Sequence, residues 1–187
     1  MRMQTITPAA SVLTLAKVKA FLRVDVNTDD TLIGDLMSAA ELKCASFTRR
    51  ALAATVVGLW FDLGEIYREI DGTGCVTTPL GQLVSVAKVA TYADDGTETT
   101  VPSSDYYVDT VSSWEGRVLF FNVSDGSRPV NSLFIQCTVG YATCPAILVQ
   151  GMMMLVAHWY ENREAYDKGV VPATIRNMWN QERIMHI

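Results

Sequence analysis

The chain changes its hydrophobic period twice, and this limits the folds open to it. From Leu15 to about Thr48 apolar residues recur every three or four positions, from about Ala54 to Tyr141 they alternate, and after Pro145 the helical spacing returns. A helix needs the first pattern to keep one stripe dry, and a half-buried strand needs the second. Helices at both ends with strands between them predict an α+β protein. Residues 1–53 and 142–187 are expected to form an antiparallel helical bundle, and 54–141 an inserted antiparallel β module.

Within the first section Thr14 is placed to cap a short helix whose apolar face is Leu15, Val18, Phe21 and Leu22. Asn27, Thr28 and Asp29 supply a turn. A longer helix follows to about Thr48, with Ile33, Leu36, Met37, Ala40, Cys44 and Phe47 on one stripe. In the middle section Asp95-Gly96 is a favoured hairpin turn, and five or six strands in a meander are expected. The "GTG" of Gly72 to Gly74 lacks a following G-K-[ST] and reads as a turn. The third section opens at Cys144-Pro145 with proline at the first helical position, and runs to about Tyr166. Gly169 and Pro172 then separate it from a final helix.

Composition narrows the function. Fifteen Lys and Arg against twenty Asp and Glu leave a net charge of −5, with no dense basic run to neutralise a phosphate backbone. Tight nucleic-acid binding is not expected. Cys44, Cys75, Cys137 and Cys144 contain no C-x-x-C pair, so reduced, semi-buried thiols are expected and a zinc site is not. Lys17 and Lys19 interrupt what would be the apolar core of a signal peptide. The longest nearly apolar stretch, Ala146 to Ala157, is too short for a bilayer, which takes roughly twenty residues. No membrane contact is expected.

The densest chemistry lies in "LVAHWYENREA", Leu155 to Ala165. On a helix His158 neighbours Glu161 and Asn162, and a histidine three residues from a glutamate, His158 with Glu161, could bind a metal or move a proton in a small metal-dependent hydrolase. A catalytic zinc needs a third protein ligand, and none is marked; His186 stands at the far end. No G-x-S-x-G turn offers a serine nucleophile. Cys144 at a helix start could have a lowered pKa, although a small capping residue suits that place as well. Trp114 and the Tyr106-Tyr107 pair would suit a ligand-binding β module that stacks on sugars, yet alternation puts one of two adjacent tyrosines inside. No catalytic residue, cofactor or metal is assigned. The assembly reading uses the whole cluster: Trp159, Tyr160, Asn162 and Arg163 belong to types found at protein interfaces, and Met152 to Met154 pack adaptably. One copy is expected to be unable to hide a helix apolar nearly all round.

Three stretches together resemble the head-to-tail connector, or adaptor, proteins of long-tailed double-stranded DNA bacteriophages, in the longer type that carries a β insertion. They are "LTLAKVKAFLRVDVNTDDTLIGDLMSAAELKCASFTRRAL", then "PLGQLVSVAKVATYADDGTE" with "DYYVD", and finally "CPAILVQGMMMLVAHWYENREA" with "VPATIRNMWNQERI". "LVAHWYENRE" is the strongest signature. The resemblance implies a structural virion protein without catalysis, located at the head–tail junction after assembly in the host cytoplasm. It implies a ring, commonly of twelve copies, that docks beneath the portal protein and receives stopper or tail-completion proteins. DNA would pass through its lumen without sequence-specific binding. The resemblance assigns His158, Trp159, Tyr160, Asn162 and Arg163 to the ring interface, and Pro172, Ile175, Met178, Trp179 and Arg183 to portal docking.

Overall fold

The computed structural model describes residues 1–62, 75–111, 116–121, 128–162 and 171–184. It is an α+β structure in which, among the described residues, four helices and two antiparallel sheets segregate into two compact units. One consists of residues 1–9 and 54–140, the other of 10–53 and 141–187.

In the helical unit, α1 (Leu15–Leu22) ends where Arg23 turns left-handed at φ 58°, and the Val24 amide closes the turn on the Lys19 carbonyl. The Thr14 hydroxyl makes no cap bond; Thr14 contributes its carbonyl, which accepts the Val18 N–H. The second helix, α2 (Asp30–Thr48), buries Ile33, Met37, Ala40 and Cys44 as its spacing predicts, with Leu36 and Phe47 partly buried beside them. Next come α3 (Ala146–Glu161) and α4 (Ala173–Asn180). Pro145 and Pro172 stand one place before the first helical residue, where each carbonyl accepts an amide of the first turn.

The expectation that one copy cannot conceal α3 is corrected. α3 packs against α1, α2 and α4 of its own chain, so its nearly all-round apolar surface has cover on several sides. Leu148, Val149, Met152, Met153, Leu155, Val156 and Trp159 are all buried in the single copy. The closest approach is at Gly151, where an added Cβ would lie 2.4 Å from Nε1 of Trp179. Glycine here lets the largest fully buried side chain of the unit lie against the helix backbone.

In the sheet unit the strands are β1 (Arg2–Thr7), β2 (Thr55–Phe61), β3 (Cys75–Thr78), β4 (Leu83–Tyr92), β5 (Glu98–Thr100), β6 (Tyr106–Asp109), β7 (Gly116–Phe120) and β8 (Leu133–Val139). The order β1-β2-β8-β4-β5 makes one sheet and β3-β7-β6 the other. This is not a meander, because β8 inserts between β2 and β4. The reason is in the side chains: Leu133, Ile135, Cys137 and Val139 are buried, and a strand with so apolar a face is better covered at the sheet centre than at an edge. Residues 1–9, expected with the helices, supply β1 to this sheet. The hairpin predicted at Asp95-Gly96 joins β4 to β5, with Gly96 at φ 86° and Asp95 Oδ1 accepting the Thr97 N–H at 2.8 Å.

Candidate assembly surfaces

The cluster at the end of α3 divides by exposure. Trp159 lies in the core of the helical unit, and its indole N–H is buried without a hydrogen-bond partner. Tyr160 is half-buried and donates its hydroxyl to Asp29 Oδ2 at 2.5 Å, so this ring ties α3 to the start of α2. Asn162 is exposed and closes the helix: its backbone N–H and its side-chain amide, the latter at 2.9 Å, both donate to the His158 carbonyl. His158 is half-buried, with Nδ1 3.3 Å from the same amide. Among the described residues of the cluster, surface available to a partner is offered by His158, part of Tyr160, Glu161 and Asn162. Arg163 lies outside the described residues, as do Trp114, His186, Gly169 and the "GTG" turn.

The elements of catalysis do not converge. Among the described residues no three His, Cys, Asp or Glu side chains come together as a metal site would require. Burial pushes the Cys144 thiol up to about 11, and the nearby Glu41 and Glu182 carboxylates add to the effect, so the helix start does not activate it. Cys44 is raised by burial too, and Cys137 is pushed up to about 12 for the same reason. All four cysteines are free thiols. Tyr106 turns inward against Phe120, with ring centroids 6.2 Å apart, while Tyr107 is 55% exposed, as alternation predicts.

Two of the five residues assigned to portal docking fold back on the chain. Ile175 and Trp179 are core side chains of the helical unit. Both fall on the one apolar stripe of α4, and that stripe faces α3. Trp179 packs on Phe47 at 5.8 Å, and the Arg183 guanidinium lies over the Phe47 ring, 5.2 Å from its centroid. The following residues are tied to the end of α2. Ile184 N–H donates to the Thr48 carbonyl at 3.0 Å, and the buried Arg50 donates Nε–H to the Glu182 carbonyl at 2.5 Å. Tyr141 donates to Glu182 Oε2 at 2.9 Å while Arg50 lies over its ring. Pro172, Met178 and Arg183 retain partial exposure.

Uncovered apolar surface lies mainly elsewhere. Of the twelve large hydrophobic side chains exposed among the described residues, eight belong to the sheet unit, including Met3, Ile6, Tyr107 and Phe121. Strand spacing gave no notice of them, since exposure here follows from position in the sheet. Every residue of β1 is exposed, and so is every residue of β5. The sheet unit is also the acidic one, with eleven Asp and Glu against five Lys and Arg, whereas the helical unit has nine against ten. Asp62 is held below the usual carboxylate range by the Asn131 N–H and then by Arg2. Asp95 is lowered by the Thr97 N–H, and Glu98 by Lys88 and the Tyr92 hydroxyl. Among the described residues no helix is long and apolar enough to cross a membrane.

No family model and no curated protein matches the chain. Solved structures do. A chain in the virion of a native gene transfer agent (GTA) particle superposes with a TM-score of 0.80 at 19% identity, covering 100% of this chain and 97% of that one. A chain in the neck of an empty GTA particle, computed with C6 symmetry, gives 0.76 at 19% identity with the same coverage. A chain in the neck of a native GTA particle, computed with C12 symmetry, gives 0.71 at 17%, again covering 100% and 97%. From end to end, this chain has the fold of virion and neck components.

Proposed function

We propose that this protein is a head-to-tail connector, or adaptor, of a phage-like particle: a structural component that forms a ring under the portal protein, extends the DNA channel and docks stopper or tail proteins. The observation that carries the reading is a likeness over the entire chain, helices and sheets together, to chains in GTA necks. A shared helical core alone would say little about assembly. Likeness of both units to neck components supports the same use of the whole polypeptide, with twelve copies suggested by the C12 neck. The resemblance of "LVAHWYENRE" to connector sequences supports it independently.

The protein acts by surface burial and has no chemistry of its own. Two standard ring interfaces would cover about 800 Å² each, roughly 15% of the 10498 Å² exposed by one copy. His158, Tyr160 and Asn162, with Arg163, are ring contacts in this reading, and Trp159 holds their helix from within. Pro172, Met178 and Arg183 meet the portal, while Ile175 and Trp179 position the helix that presents them. An acidic sheet unit suits a passage for DNA, because it does not hold phosphate. The test is removal of this chain from the particle-producing cells. Heads that lose their genome and acquire no tails are the expected result; full, tailed particles would overturn the reading.

A further inference from the structure

Among the described residues the five-stranded sheet has two open edges: β1 has β2 on one side and no strand on the other, and β5 likewise has only β4. An unpaired edge presents a row of backbone donors and acceptors that another strand can satisfy, and soluble proteins usually protect such edges. Protection of β1 is slight. It carries one charged residue, Arg2, and a register shift between Thr5 and Thr7, yet it exposes Met3 and Ile6 at 46% and 44%. Met3 aligns with buried Leu59 and Thr5 with buried Val57, so even the side of β1 that continues the buried face lacks cover.

Resting on the neck-ring reading, we propose that the ring closes edge to edge: β1 of one copy pairs with β5 of the next. Cyclic rings of more than two copies repeat a contact between two different surfaces of the same chain, and the two ends of one sheet supply such a pair. The charges at the two edges do not oppose the contact, since Arg2 of β1 pairs with Asp62 and Glu98 of β5 pairs with Lys88, each within its own chain.

Strand direction is fixed by the topology. Each of the four neighbouring pairs is antiparallel, so in a five-stranded sheet β1 and β5 point the same way. Successive copies turn by about 30° in a ring of twelve, or about 60° in a ring of six, and neither rotation reverses a strand. The pairing is therefore parallel, with the three residues of β5 beside half of β1. Pairing of β1 with β1 would be antiparallel and two-fold, and would stop at a dimer.

The test is disulfide trapping in the full-length chain, in particles and in protein concentrated until native mass spectrometry detects multimers. Met3, Thr5 and Thr99 lie on one face of the sheet, since Thr99 aligns with buried Thr91, while Thr100 lies on the other. Met3→Cys or Thr5→Cys combined with Thr99→Cys should give, on oxidation, a reducible ladder reaching the full ring in at least one pair. Thr5→Cys with Thr100→Cys should give none, nor should the unsubstituted chain. Rings by native mass spectrometry without the ladder would overturn edge pairing and leave the connector reading intact. Covalent dimers from Thr5→Cys alone that extend no further would overturn it in favour of a two-fold contact. A chain that stays monomeric in every condition, and is absent from particles, would remove the ring reading itself.

Discussion

The two units solve the problem of apolar surface in opposite ways. The helical unit has α3 at its centre, covered by α1, α2 and α4, and its buried side chains form one cluster from Leu13 to Trp179. The sheet unit is strongly acidic and leaves Met3, Ile6, Tyr107 and Phe121 in the open. The contrast teaches that hydrophobicity along a sequence is a poor guide to where apolar surface stays exposed. The greasiest helix is satisfied within the fold, and most of the large apolar side chains left exposed among the described residues belong to the sheet unit.

The largest test of this contrast is truncation at the centre of the closed unit. Trp179→Ala should cost about 3–5 kcal/mol, because a fully buried indole leaves a cavity. Chemical denaturation measures the loss. Hydrogen exchange should show it in α2, α3 and α4 while the β2–β8 ladder keeps its protection; equal loss in both units would break the comparison. A smaller effect comes from filling the one tight approach. Gly151→Ala should cost about 1–3 kcal/mol through overpacking against Trp179, despite the better helix propensity of alanine. Trp179→Phe in the same chain should relieve part of that cost.

Acid should act on the other unit. Asp62, Asp95 and Glu98 all have folded pKa values below their ordinary 3.8 or 4.5, and all lie in the sheet unit. Their stabilisation is complete above the ordinary values and is lost as pH falls through the depressed ones. Exchange protection of β4 and β5 should therefore decline below about pH 4 before that of α3 does. The smallest effect on folding is at the open edge. Met3→Ser and Ile6→Ser should change stability by no more than about 0.5 kcal/mol, since both side chains are exposed, yet should weaken assembly measured by native mass spectrometry.

Much of the local structure was legible because periodicity reports one-sided burial directly. The stripe Ile33, Met37, Ala40 and Cys44, and the turn at Asp95-Gly96, needed only that rule. What escaped it was set by tertiary neighbours. Nothing in "RMQTIT" says that it pairs with β2, and nothing local puts β8 between β2 and β4. The site residues show the same limit. Trp159, Ile175 and Trp179 have the chemistry of interface anchors, but whether such a ring faces a neighbouring chain or its own core depends on helices distant in sequence. His158 offers chemistry by residue type and Asn162 an interface contact, and their geometry together is that of a helix end.

The most direct measurement is electron cryomicroscopy of the head–tail junction in particles that carry this chain. The account requires a cyclic ring of copies between portal and tail, each with its α3 core closed as in the single chain. Absence of the chain from the junction, or its presence there as a single copy, would contradict it.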